Sequence, residues 1–79
     1  MRIDKYLKVS RIIKRRTVAQ EACETGKVKI NGKLAKPGSD VKENDIIEIT
    51  FGEKTLKVQV VKITEHALKG DASDMYKVM

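Results

Sequence analysis

The apolar residues of this chain fall into two spacings, and each predicts a different kind of element. In the opening stretch MRIDKYLKVSRIIKRRT, Ile3 and Leu7 stand four apart, as do Val9 and Ile13. That is the spacing of a short helix, or of helical turns, with one face held in a core. The periodicity shifts around Val9-Ser10-Arg11, which predicts a bend between a first short helix and a turn carrying Ile12 to Arg16. A second helix is predicted from Thr17, because Thr17 and Gln20 have capping-box spacing, the hydroxyl taking a free amide while the glutamine reaches back. It would bury Val18, Ala19, Ala22 and Cys23 and stop at Thr25-Gly26, where glycine supplies the left-handed conformation that ends many helices.

The spacing then changes to that of strands. VKINGKLA, Val28 to Ala35, places Val28, Ile30 and Leu34 around Asn31-Gly32, a hairpin signal, because those two residues accept the positive φ angles of a tight turn. Pro37-Gly38-Ser39-Asp40 is turn chemistry. Ile47, Ile49 and Phe51 alternate with Glu48 and Thr50, and Leu56, Val58, Val60 and Ile63 continue after Gly52-Glu53-Lys54, so two further strands should pair through that loop and close a sheet over the helices. From Thr64 the pattern weakens. His66, Gly70 and Asp71-Ala72-Ser73-Asp74 read as a mobile linker, with His66 a solvated residue, and Met75, Tyr76 and Val78 as a short element docking back. The expected fold is α+β, a single domain over 1–63 with two short N-terminal helices packed on a small antiparallel sheet, followed by a tail over 64–79.

Charge changes this picture from a generic small domain to one with a polar purpose. Seven basic side chains lie between Arg2 and Arg16 (Arg2, Lys5, Lys8, Arg11, Lys14, Arg15, Arg16) against one acid, Asp4. Residues 1 to 36 hold eleven Lys/Arg and three Asp/Glu, a balance of +8, whereas residues 37 to 79 carry −2. A Lys-rich helical face usually confers only solubility. Four of the seven are arginine, whose planar guanidinium matches phosphate oxygens in pairs, and the interleaved aliphatics would fix those cations on a rigid support. Lys14, Arg15 and Arg16 also precede the predicted second helix, whose N-terminal amides favour an anion. Lys27, Lys29, Lys33 and Lys36 around the hairpin can extend the basic surface. Arg2 and Arg16 read as surface cations removable without opening a core cavity. Asp4 is expected mainly to cap exposed amides, with an ion pair to Arg2 or a neighbouring base as its lesser role.

Other chemistries find little support. Cys23 is the only cysteine, so no internal disulfide, four-cysteine zinc site or CxxC pair can form, and a reducing, cytoplasmic setting follows. It reads as a small buried hydrophobe, since the only histidine lies in the tail. No stretch approaches the ~20 apolar residues of a membrane span, and the start lacks a signal peptide's apolar centre. Carboxylate pairs, Cys/His couples and ligand clusters are absent at recognisable spacing, so neither an enzyme nor a cofactor is expected. Tyr6, Phe51 and Tyr76 are the only aromatics, with Tyr6 and Phe51 read as structural, which leaves a base-stacking platform poorly supplied and favours recognition of duplex RNA by shape and phosphate. A protein-interaction module with its basic face on an acidic partner remains an alternative, and it would require a sizeable exposed apolar patch.

RIDKYLKVSRIIKRRTVAQEAC followed by GKVKINGKLAKPGSDVKENDIIEI resembles the S4 RNA-binding domain, over about Met1 to Phe51. A basic two-helix start, RRT before the second helix, a GxVxxNG hairpin and a KP turn occur in register, and Asn44-Asp45 replaces the family's usual Gly-Asp before the last S4 strand. Asn tolerates the left-handed conformation, so that turn should survive. Free-standing S4 proteins of this size fall into a heat-shock type that binds and recycles stalled large ribosomal subunits and a ribosome-quality-control type, and the opening with the MYKVM tail is more similar to the second. The resemblance implies a non-enzymatic adaptor on an obstructed large ribosomal subunit, touching large-subunit rRNA and peptidyl-tRNA and supporting C-terminal alanine tailing by an RqcH-type tailing factor. It implies no membrane partner and a monomer away from the ribosome. RNA-contacting positions carry over as Arg2 and Arg16 first, with Lys5, Lys8, Arg11, Lys14, Arg15, Thr17 and Lys36 around them.

Overall fold

A computed structural model describes residues 1–64 and 74–79. The expected linker, His66 included, lies outside the described residues except for Asp74. Two helices, α1 (Ile3–Val9) and α2 (Arg16–Glu24), precede five strands: β1 (Val28–Ile30), β2 (Lys33–Leu34), β3 (Ile46–Phe51), β4 (Lys54–Val60) and β5 (Tyr76–Val78). The strands form one antiparallel sheet in the order β2-β1-β3-β4-β5. Both the α+β class and the two-helices-on-a-sheet arrangement read from the sequence are present.

The period-two pattern fixes which face of the sheet is covered. Ile47 and Ile49 of β3 pair with Val58 and Leu56 of β4 and with Ile30 and Val28 of β1, so one row of aliphatics crosses three strands. Ile3, Tyr6, Leu7, Ile13, Ala19 and Cys23 from the helical half close over that row. The tail docks as expected and completes the sheet: Met75 is fully buried, its carbonyl accepts a 2.7 Å hydrogen bond from the Tyr6 hydroxyl, and Tyr76 and Val78 pair with Val60 and Val58. Burial pushes the Tyr6 hydroxyl pKa up, so it stays a donor.

Turn chemistry follows the sequence closely. Asn31 and Gly32 have φ of 52° and 84°, the paired positive values of a type I′ hairpin turn. Asn44 takes φ 75°, so the turn expected to survive the loss of glycine does. Gly26 at φ 76° ends α2 in a Schellman motif, with its N–H on the Cys23 carbonyl and the Lys27 N–H on that of Ala22. Burial pushes the Cys23 thiol up to about 11, which suits the packing role assigned to it.

Three expectations are corrected. α2 starts at Arg16 with Arg15 at its N-cap, and no side chain caps it; Gln20 is engaged elsewhere, so the Thr17–Gln20 capping box does not form. Val18 is 47% exposed, because Ala19 and Cys23, four apart, set the buried stripe and Val18 falls roughly 100° away from Ala19. Phe51 is 49% exposed, at the end of β3 beside the Gly52-Glu53 turn. Leu34, which the hairpin signal placed in a strand, lies in one, on the two-residue edge β2, 67% exposed.

Candidate nucleic-acid interface

α1 is short, and its own backbone needs are met locally. The Ile3 and Asp4 amides donate to the Ser39 and Pro37 carbonyls at 2.8 and 3.3 Å, and the Lys5 amide donates to the Asp4 carboxylate at 2.7 Å. The turn that supplies those carbonyls is itself closed by the Ser39 N–H on the Lys36 carbonyl and the Lys36 N–H on the Ser39 hydroxyl. The Arg2 and Asp40 backbones form an isolated antiparallel bridge, the N-terminal ammonium meets the Asp40 carboxylate at 2.7 Å, and the Val41 amide donates to the Met1 carbonyl. That ammonium holds the Asp40 carboxyl below its ordinary pKa. Exposed Lys36 is thereby fixed beside the start of α1.

Asp4 organises the rest. Its carboxylate is fully buried, and the oxygen not used by Lys5 accepts from Arg2 Nη2 at 3.2 Å, Gln20 Nε2 at 3.1 Å and Arg16 Nε at 3.4 Å. Burial by itself would raise the carboxyl pKa; the hydrogen bonds from Gln20, the Lys5 amide and Arg16, with the Arg16 charge, outweigh it and hold the group below the ordinary carboxylate value. The side chains of Arg2 and Arg16 remain 53% and 42% exposed. Each therefore has one edge anchored on a buried charge and the other toward solvent. Holding arginines is thus the larger role of Asp4 and capping one amide the smaller, the reverse of the sequence expectation. Arg2 and Arg16 are likewise not simple surface cations, because truncating either leaves a buried carboxylate short of a donor.

Of the other expected site residues, exposed Arg15 is the N-cap of α2 and Thr17, also exposed, lies in its first turn, both flanking Arg16. Lys5 is half-buried on α1. Lys8 is exposed on the last turn of α1, roughly 9 Å along the helix from Arg2 at 1.5 Å per residue, and Arg11 and Lys14 are exposed on the bend between the helices. The structure thus joins Arg2, Arg16 and their neighbours at the start of α1, sets Lys8 and Arg11 toward its other end, and leaves Lys14 on the bend, two residues before Arg16. Arg11 has φ 63°, a left-handed conformation that usually falls to glycine one residue past a helix cap. Gln20 was missed as part of the site. Its position four residues after Arg16, on the same helical face, was the available signal.

The chain is similar to known proteins in both sequence and structure. The S4 domain family matches residues 1–47. A relative from Streptococcus pneumoniae, "RQC P-site tRNA stabilizing factor", is 54% identical over the whole chain and 90% of its own length. A protein of the same name from Halalkalibacterium halodurans is 50% identical over 99% of the chain and 89% of its own length. Among solved structures, trimeric heat shock protein 15 of Vibrio cholerae superposes with a TM-score of 0.91 at 30% identity, over 100% of this chain and 81% of that one.

Proposed function

The chain belongs to the S4 domain family, and within it to the group containing those tRNA stabilizing factors; from that premise we propose that it is a non-enzymatic RNA-binding adaptor in ribosome quality control. It binds large-subunit rRNA and peptidyl-tRNA on an obstructed large ribosomal subunit, in the cytoplasm, and supports C-terminal alanine tailing of the stalled chain by an RqcH-type factor. The observation that carries this reading is the convergence of two half-exposed guanidiniums, from the starts of two different helices, on one buried carboxylate. Guanidiniums so held present planar donor pairs to phosphate oxygens. Arg15, Thr17 and Lys36 border the same end, and Lys8 on α1 with Arg11 and Lys14 on the bend after it offer further cations, which lets this small domain address two RNA strands.

Duplex and structured RNA suit this face better than unpaired bases, because its side chains are cations rather than aromatics. Crosslinking the protein to RNA in cells and sequencing what is attached tests the proposal. Large-subunit rRNA together with tRNA is the expected yield; mRNA alone, or no RNA, would contradict it. Recycling of stalled subunits in the heat-shock manner is a second reading, favoured by the superposition on heat shock protein 15. Loss of alanine tails on deletion of the protein would separate tailing from recycling.

A further inference from the structure

We infer that Asp4 is the positioning residue of this RNA site: the buried carboxylate that sets the guanidiniums of Arg2 and Arg16 in fixed orientation before RNA arrives. The inference rests on the RNA-binding reading and adds to it a residue that touches no RNA. An acid in the middle of a phosphate-binding face opposes binding by Coulomb's law, so charge alone gives no reason for it. Geometry does. One oxygen of Asp4 accepts from Arg2, Arg16 and Gln20, and the other accepts the Lys5 amide, so the carboxylate has four donors and no exposure. Arg16 is held through Nε, so its two terminal nitrogens remain as donors on a side chain that is 42% exposed. Arg2 is held through Nη2 alone.

A free arginine loses rotamer freedom when it grips a phosphate; an arginine already anchored loses less, and the difference appears as affinity. Gln20 contributes a neutral donor to the same oxygen, bracing the carboxylate without adding charge repulsion to the two cations. Two helix starts separated by the whole of α1 and its bend are thereby locked to each other at the place where both present a cation.

Charge and positioning predict opposite signs for Asp4→Asn, and that makes the test. The substitution raises the net charge from +6 to +7, so electrostatic attraction alone would tighten RNA binding. Positioning predicts a loss of about tenfold or more, the scale of one charge-assisted hydrogen bond. Binding of the parent, Asp4→Asn, Arg16→Gln and the double variant to unfractionated tRNA and to a labelled RNA hairpin, by fluorescence anisotropy at one salt concentration, gives the answer. Asp4→Asn should bind more weakly than the parent, and Arg16→Gln should cost much less in the Asp4→Asn background than in the parent. If the parent binds neither RNA, the functional reading itself fails. If the parent binds and folded Asp4→Asn binds as tightly or more tightly, positioning fails while the RNA reading stands. Should Asp4→Asn not fold, side-chain NMR of the parent decides: a discrete, slowly exchanging Arg16 Nε–H supports the inference, and one exchanging as fast as that of Arg15 overturns it.

Discussion

Arg11 offers a prediction in which stability and function move in opposite directions. It follows the Ser10 cap of α1, its N–H donates to the Lys8 carbonyl at 3.1 Å, and its φ of 63° is one that a residue with a Cβ adopts at a cost. Its side chain is exposed, so removing it takes away little packing. The left-handed conformation costs a non-glycine residue on the order of 1 to 2 kcal/mol, and glycine's greater freedom in the unfolded chain returns about 0.5 to 1 of that. Arg11→Ala keeps the strain and Arg11→Gly releases it, while both delete the same cation. The glycine variant should therefore exceed the alanine variant by up to about 1 kcal/mol, which in a domain of this size is a melting-temperature gap of up to about 4 to 8 °C. If Arg11 contacts a phosphate, both variants should lose RNA affinity equally. Calorimetry and RNA titration of the two side by side are the assay. Equal melting temperatures would refute the strained backbone, and parent-like RNA affinity in both would refute the contact.

Gly32→Val should destabilise the domain by about 1 to 2 kcal/mol through backbone strain alone, because φ is 84° and a Cβ there meets nothing within 4 Å; Lys33→Ala should leave the denaturation midpoint unchanged, and a Gly32→Val midpoint equal to the parent's would show the turn is misassigned. The Asp4 carboxyl is depressed in the fold, so its stabilising contribution is complete above the unfolded value of about 3.9 and is lost as pH falls through the lower folded value. Acid titration of stability should therefore be shallower in Asp4→Asn than in the parent, with a residual slope from Asp40, which is depressed in the same direction; identical slopes would contradict the ion-paired hub. Binding to RNA should weaken with salt by about 0.7 to 0.9 in log K per log salt for each phosphate neutralised, and a curve flat between low and moderate salt would count against phosphate recognition.

What the sequence made legible was local. Asn31-Gly32, Asn44 and Gly26 announce left-handed backbone through the only side chains that tolerate it cheaply, and the alternation of Ile47, Ile49, Val58 and Val60 settles which face of β3 and β4 is buried. Arg2 and Arg16 could be singled out as cations, but not their meeting: Arg16 and Gln20 lie twelve and sixteen residues from Asp4, and only the packing of α2 against α1 brings them together. The same tertiary contact explains the failed capping box, since the Gln20 amide meets a buried charge in place of a solvated backbone group. Val18 and Phe51 were misplaced because hydrophobicity does not reveal where the helical layer stops covering the sheet.

The central claim is that two arginines held on one buried carboxylate grip the RNA of an obstructed large subunit. Arg2→Gln and Arg16→Gln test it most directly, since each removes one charge, and at position 16 the glutamine Nε2 takes the place of the arginine Nε and can still donate to Asp4. Each purified variant is checked for folding and then sedimented with large ribosomal subunits carrying peptidyl-tRNA. The account predicts that both stay folded and that each loses most of its co-sedimentation, at roughly 1.5 to 3 kcal/mol per charge-assisted contact. Folded variants that sediment with those subunits like the parent would contradict it.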